Sequence, residues 1–276
     1  MSGKGRGRRG KPRDLGKGSD PAPKRRVREG VRPRTEVGPR TEVDSNVLYG
    51  RNPVHEALRA GRRRVTRIWA TGQAAKEPWL QGVRITELSG DEIAERAGTD
   101  AHQGVVAAVE PYPYVDAAEL LAAPEPLIVA LDEVQDPQNL GAIARTAEAV
   151  GATGMVIPER RSAEVTAAAA KASAGAVEHL PIARVRNLAD FLADAKAAGT
   201  WVYGAEGSDD ARAYDEPDYD GGVVLVLGAE GKGLRPRVRD SCDVLVSLPL
   251  RGRIESLNVS AAAAVLLYQA ARNRPG

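Results

Sequence analysis

A chain of 276 residues, 42% of them hydrophobic, can bury one large core or two modest ones, which excludes a wholly unfolded polymer. Its one cysteine, Cys242, excludes an internal disulfide and fits a reducing, cytoplasmic setting, and three scattered histidines without a close Cys or His partner give no metal-site spacing. The net charge of +2 is uneven: residues 1–43 hold fourteen Lys or Arg against five Asp or Glu, which leaves −7 for the remainder.

Residues 1–45 are rich in Gly and Pro and nearly free of large apolar side chains, and PRTEV occurs twice, at 33–37 and 39–43. Such a segment buries too little surface to offset its ordering entropy, so it is expected to be a disordered basic tail. A polyanion, most commonly nucleic acid, is the expected partner, with a solubilising role as the alternative. No apolar run approaches the roughly 20 residues of a membrane span, and the N-terminus lacks the apolar core of a signal peptide.

Order is expected from about Val47, and residues 46–111 read as a small α/β module. YGRNPVHEAL at 49–58 predicts a turn into a short helix with Pro53 at its first position. Residues 65–70 and 82–88 read as strands, 89–97 as a capped helix and 104–109 as a buried strand preceded by the His102-Gln103 turn. A proline-punctuated linker at 112–125 follows, with a helix at 116–122.

From Pro126 to the end, strands and helices alternate, which predicts a mostly parallel sheet with both faces covered. The expected strands are 127–131, 154–157, 180–185, 200–204, 223–228 and 244–248. The expected helices are 139–150, 163–173, 187–198, 233–240 and 258–272. Ligands in such sheets sit beyond the carboxyl ends of strands, so the loops after 131, 157, 204, 228 and 248 are where a site belongs.

In the helix after the first of these strands, Leu140, Ile143, Ala147 and Val150 form a buried stripe that leaves Arg145 outside it. Arg145 suits either a bound ribose or phosphate or plain solvent, and Asn139 suits either a ligand or a cap. The loop LGAEGKGL at 227–234 lacks both G-x-G-x-x-G and a P-loop signature, which disfavours dinucleotide and P-loop chemistry. Its glycines permit close backbone approach to a ligand and Glu230 can accept hydrogen bonds, with a tight turn as the alternative. Of Ser256 and Asn258 only one can be the N-cap of the last helix, which leaves the other facing the loop beside Arg251 and Arg253. Lys232, Arg235, Arg237 and Arg239 add charge upstream, so a positive rim for a phosphate-bearing partner is expected.

The order and spacing of NLGAIAR at 139–145, LGAEGKGL at 227–234 and LPLRGRIESLNVS at 248–260 resemble the three motifs of the SpoU (TrmH) branch of the SPOUT RNA methyltransferases. The likeness spans most of 47–273. YGRNPVHEAL, the HQG turn at 102–104 and RSA at 161–163 are similar to the bacterial subgroup that 2′-O-methylates a guanosine of large-subunit ribosomal RNA. It implies S-adenosylmethionine as methyl donor, an RNA-binding first module related to certain ribosomal proteins, a deep trefoil knot in the second, and a homodimer with sites near the subunit interface. The donor would lie on backbone at Leu227, Gly228, Ala229, Leu248, Leu250 and Leu257, with glycines and aliphatics in place of an acidic ribose-binding residue. Arg145 would be catalytic, supported by Asn139, Glu230, Ser256 and Asn258. RNA would meet Arg51, His102, Gln103, Arg161, Lys232 and Arg251. A transfer-RNA or resistance-type ribosomal methyltransferase, or a non-catalytic ribosome-assembly protein, are the alternatives, and a final alanine-rich helix suits either a dimer interface or the core.

Overall fold

The alternation of apolar runs and alanine-rich segments folds into two β-sheets in the computed structural model of the chain, which describes residues 46–229, 231–253 and 256–274. The basic tail and Glu230 lie outside the described residues. In chain order the first elements are β1 (Val47–Tyr49), α1 (Arg51–Ala60), β2 (Val65–Ala70), β3 (Thr86–Glu87), α2 (Gly90–Ala97), β4 (Val105–Val109) and α3 (Ala117–Leu121). The rest are β5 (Leu127–Asp132), α4 (Pro137–Ala149), β6 (Gly154–Pro158), α5 (Ala167–Ala172), β7 (Ile182–Val185), α6 (Leu188–Ala197), β8 (Trp201–Ala205), β9 (Arg212–Ala213), β10 (Val223–Gly228), α7 (Pro236–Arg239), β11 (Val244–Ser247) and α8 (Val259–Ala271).

The first sheet has the order β1-β4-β2-β3. Ser89 caps α2 by a reciprocal pair of bonds with Glu92, as its sequence signature predicts. Three expectations need correction. Pro53 is the third residue of α1 rather than the first, where its missing N–H still costs nothing because first-turn donors have no helical partner. The strand expected at 82–88 shrinks to β3, because only Trp69 and Ala70 of β2 offer it partners. β1 was not anticipated, and three residues are too few to show a period.

The second sheet, β7-β6-β5-β10-β8-β11-β9, is parallel at every pairing. Its central strands are buried on both faces, and the period of two sorts their side chains. Leu127, Val129, Leu131, Val223, Leu225 and Leu227 join a core with Leu140 and Ile143 of α4 and Leu266 of α8. Ile128, Ala130, Val224 and Val226 meet Leu188, Phe191 and Leu192 of α6. Helix α5 starts four residues later than expected because Thr166 caps it, and α7 begins at Pro236 rather than 233. The two-residue β9 was not anticipated. Among the described residues no helix is long and apolar enough to cross a membrane.

The expected linker is pinned. The Tyr112 hydroxyl donates to the Val177 and Leu180 carbonyls at 2.8 and 3.0 Å, and the Tyr114 oxygen accepts from Val165 N at 2.9 Å. Burial pushes the Tyr112 phenol above its usual range. Arg63 and Glu178 form a buried, two-bond ion pair, with side chains 5% and 1% exposed, between the first module and the turn at 176–178. Across the same seam His179 Nε2 lies 2.8 Å from Glu56 Oε2.

Candidate active site at the carboxyl edge of the parallel sheet

β8, β10 and β11 end side by side, and their following loops with the start of α8 enclose a cleft of about 360 Å³. Leu227, Gly228, Ala229, Leu248, Leu250 and Leu257 all line it, as do Lys232 and Ser256. Leu250 and Leu257 are 43% and 45% exposed, which leaves apolar side chains uncovered at its mouth.

The glycine loop folds on itself. Lys232 N and Gly233 N both donate to the Ala229 carbonyl, at 3.3 and 3.0 Å, and Ala229 bridges Gly233. A Cβ on Gly228 would lie 2.3 Å from the Gly233 carbonyl, so the loop's own backbone requires the glycine. Gly231 and Gly233 take the left-handed turn conformation, φ 72° and 65°. At the loop's end Arg235 binds Asp132, which is buried at the tip of β5: Arg235 N donates to Oδ2 at 2.8 Å and Nε to Oδ1 at 2.7 Å.

That pairing corrects the expected rim. Arg235 is held by Asp132, Arg237 by Asp190 at 2.9 Å, and Arg239 by Glu206 and Asp210, each at 2.7 Å. The carboxylates stand far off in sequence, so local charge counting overstated the free positive charge. Lys232, Arg251 and Arg253 are exposed and make no ion pair among the described residues.

Asp136, not Asn139, caps α4, accepting from Gln138 N at 2.9 Å. Asn139 is buried in the first turn and accepts from Asn258 Nδ2 at 3.0 Å. Asn258 is the N-cap of α8, its Oδ1 accepting from Ser260 N at 2.9 Å, so Ser256 is left to face the cleft. The stripe Leu140, Ile143 and Ala147 is buried and Val150 only partly. Arg145 is exposed and does not line the cleft.

Arg51, His102 and Gln103 meet elsewhere, around a second, open pocket of about 510 Å³ with Thr71, Gln73 and Gly104. Gln103 sits in the left-handed region, φ 53°, and its side-chain oxygen accepts from Lys171 Nζ at 2.6 Å and Arg51 N at 3.2 Å. Arg51 also pairs with Glu77 at 2.6 Å, and His102 Nδ1 accepts from Gly104 N at 2.9 Å. Arg161, three-quarters exposed, reaches Glu133 at 3.4 Å.

Sequence reasoning missed Glu206, Ser247, Ala262 and Leu266 in the cleft wall. Glu206 is the first residue after β8, in one of the loops where a site was expected, but no motif singled it out. It places a carboxylate in a cleft whose donor pocket was expected to be built of glycines and aliphatics. Burial pushes the Cys242 thiol up to about 12, and its Sγ–H donates to the Val238 carbonyl.

A family model described as the SpoU rRNA Methylase family matches residues 126–268, and one described as RNA 2′-O ribose methyltransferase substrate binding matches residues 47–115. YacO of Bacillus subtilis (strain 168), named for the TrmH family of tRNA/rRNA methyltransferases, is 41% identical over 241 residues, 82% of this chain and 95% of its own. An uncharacterized tRNA/rRNA methyltransferase of Mycobacterium ulcerans (strain Agy99) is 44% identical over 85% of this chain and 79% of its own. The AdoMet complex of the SpoU methyltransferase AviRb from Streptomyces viridochromogenes superposes with a TM-score of 0.69 at 29% identity, covering 83% of this chain and 89% of its own. An AdoMet-bound rRNA methyltransferase from Sinorhizobium meliloti gives 0.71 at 30% identity, covering 84% and 88%. Matched in both its sheets by these models and over most of its length by these relatives, the chain belongs to the SpoU (TrmH) family of RNA methyltransferases.

Proposed function

We propose that the chain uses S-adenosylmethionine to methylate a ribose 2′-hydroxyl, that of a guanosine in large-subunit ribosomal RNA, in the cytoplasm. The observation that carries this reading is the convergence of three separated motifs on one sheet edge. Gly228, Leu248 and Leu257 line one cleft, and Asn258, beside Leu257, bonds to Asn139. The cleft fits the donor: aliphatic walls suit a purine face, and Lys232, Glu206 and Ser256 offer polar contacts. Leu227, Ala229 and Leu250 complete its donor-binding wall.

When bound, S-adenosylmethionine supplies an electrophilic sulfonium methyl. The chain must bring a weakly nucleophilic hydroxyl in line with it. Arg145 holds the hydroxyl and its neighbouring phosphate and favours the developing alkoxide. A guanidinium offers donors and no acceptor, so the proton leaves to a phosphate oxygen or water. Ser256, Asn258 and Asn139 orient the ribose, with Glu230 as a further acceptor. Because Arg145 lies outside the cleft of its own chain, it would serve the cleft of a second subunit in a homodimer. The exposed stripe Ala261, Val265 and Tyr268 on α8, which packs beside α4, supports such an interface. Arg51, His102 and Gln103 would bind RNA on the first module, residues 46–111, and Arg161, Lys232 and Arg251 would line its path along the second, residues 126–276. The knotted C-terminal segment belongs to the same reading.

The test is transfer of a labelled methyl group from the donor to ribosomal and transfer RNA, purified separately from cells lacking this protein. Label in the ribosomal fraction is expected. Label confined to transfer RNA would replace the substrate, and donor binding without transfer to either would favour an assembly factor.

A further inference from the structure

We infer that Glu206 is the carboxylate that binds the ribose hydroxyls of the methyl donor; this rests on assigning the cleft to S-adenosylmethionine. Among the described residues lining the cleft it is the only acidic one. Its backbone N donates to the Val246 carbonyl at 3.0 Å, which fixes the residue on the wall between β8 and β11. Arg239 Nε donates to Oε2 at 2.7 Å, and Asp210 holds Arg239 from the far side through both its oxygens, at 2.8 and 2.7 Å. The side chain is therefore pre-set, and a ligand need not order it.

The second oxygen, Oε1, accepts no hydrogen bond from the described residues. It lies across the glycine loop, 3.5 Å from where a Cβ on Gly233 would stand. A carboxylate oxygen carries two lone pairs, which match two adjacent hydroxyl donors. Because Arg239 already compensates the charge of Glu206, Oε1 is better suited to neutral hydroxyls than to the donor's ammonium group. Dinucleotide-binding sheets reach the same contact with an acidic residue near a strand end.

The test is calorimetric titration of wild type and Glu206→Gln with S-adenosylmethionine and with 5′-methylthioadenosine, which keeps the ribose but lacks the amino-acid end. The amide keeps one oxygen for Arg239 and turns a donor into the cleft, so affinity for both ligands falls roughly ten- to a hundredfold. Thermal unfolding checks that the fold is kept, and Glu206→Ala gives the same comparison should the amide variant not fold. Equal binding by wild type and variant overturns the role of Glu206 alone. A loss confined to S-adenosylmethionine moves the carboxylate to the amino-acid end and overturns the ribose contact. A wild type that binds neither ligand overturns the donor assignment itself.

Discussion

Asn258 Nδ2 donates to Asn139 Oδ1 at 3.0 Å across 119 residues of sequence, while Asn258 Oδ1 caps α8. One side chain thus starts the last helix and ties it to the first turn of α4. Asn258→Asp keeps the capping oxygen but sets a carboxylate against Asn139, and is expected to cost about 1–2 kcal/mol. Asn258→Ala also loses the cap, worth about 1 kcal/mol. A double-mutant cycle with Asn139→Ala by urea denaturation is expected to give a coupling of about 1 kcal/mol, and additive losses would remove the link.

Gly228→Ala pushes a Cβ into the Gly233 backbone, which cannot rotate away as a flexible side chain could. The loop must open, and donor affinity measured by calorimetry is expected to fall more than tenfold with a small drop in Tm. Gly90→Ala, where nothing lies within 4 Å of the added carbon, is expected to leave both unchanged.

Burial alone would raise the Glu56 carboxyl, but hydrogen bonds from His179 and Arg59 outweigh it and hold the group below 4.5. A depressed folded value contributes stability above the unfolded value, and that contribution is lost as pH falls through the folded one. Acid should therefore loosen the seam between α1 and the 176–179 turn. Hydrogen exchange of α1 amides, corrected for intrinsic rates, is expected to speed up below pH 4.5 in wild type, with a weaker pH dependence in Glu56→Gln. Identical profiles would show that this contact does not hold the seam.

Tyr268 is 62% exposed and Val265 42% on the same face of α8. Tyr268→Glu is expected to give a monomer in analytical ultracentrifugation, with donor binding within a fewfold of wild type and methyl transfer reduced at least a hundredfold. An unchanged mass with full transfer would rule out this face as the interface.

The parallel sheet was legible because 127–131, 154–157 and 223–228 are uninterrupted apolar runs, which a strand covered on both faces requires. The loops after 131 and 228 were legible for the same reason, since each follows such a run. β1 and β9 were not, because strands of three and two residues show no period, and their pairing is decided by neighbours far along the chain. Long-range ion pairs were equally hidden. Nothing near Arg235 in sequence points to Asp132, 103 residues earlier. Glu206 was missed because a single acidic residue after a strand is common, and only the cleft's geometry distinguishes it from a surface carboxylate.

The measurement bearing most directly on the proposed function is mass spectrometry of nuclease digests of large-subunit ribosomal RNA, taken from cells lacking the protein and treated with enzyme and donor. One new 2′-O-methylguanosine is predicted, absent when Arg145→Ala replaces the wild type although donor binding persists. A methyl group on a base, on transfer RNA alone, or undiminished in Arg145→Ala would contradict it.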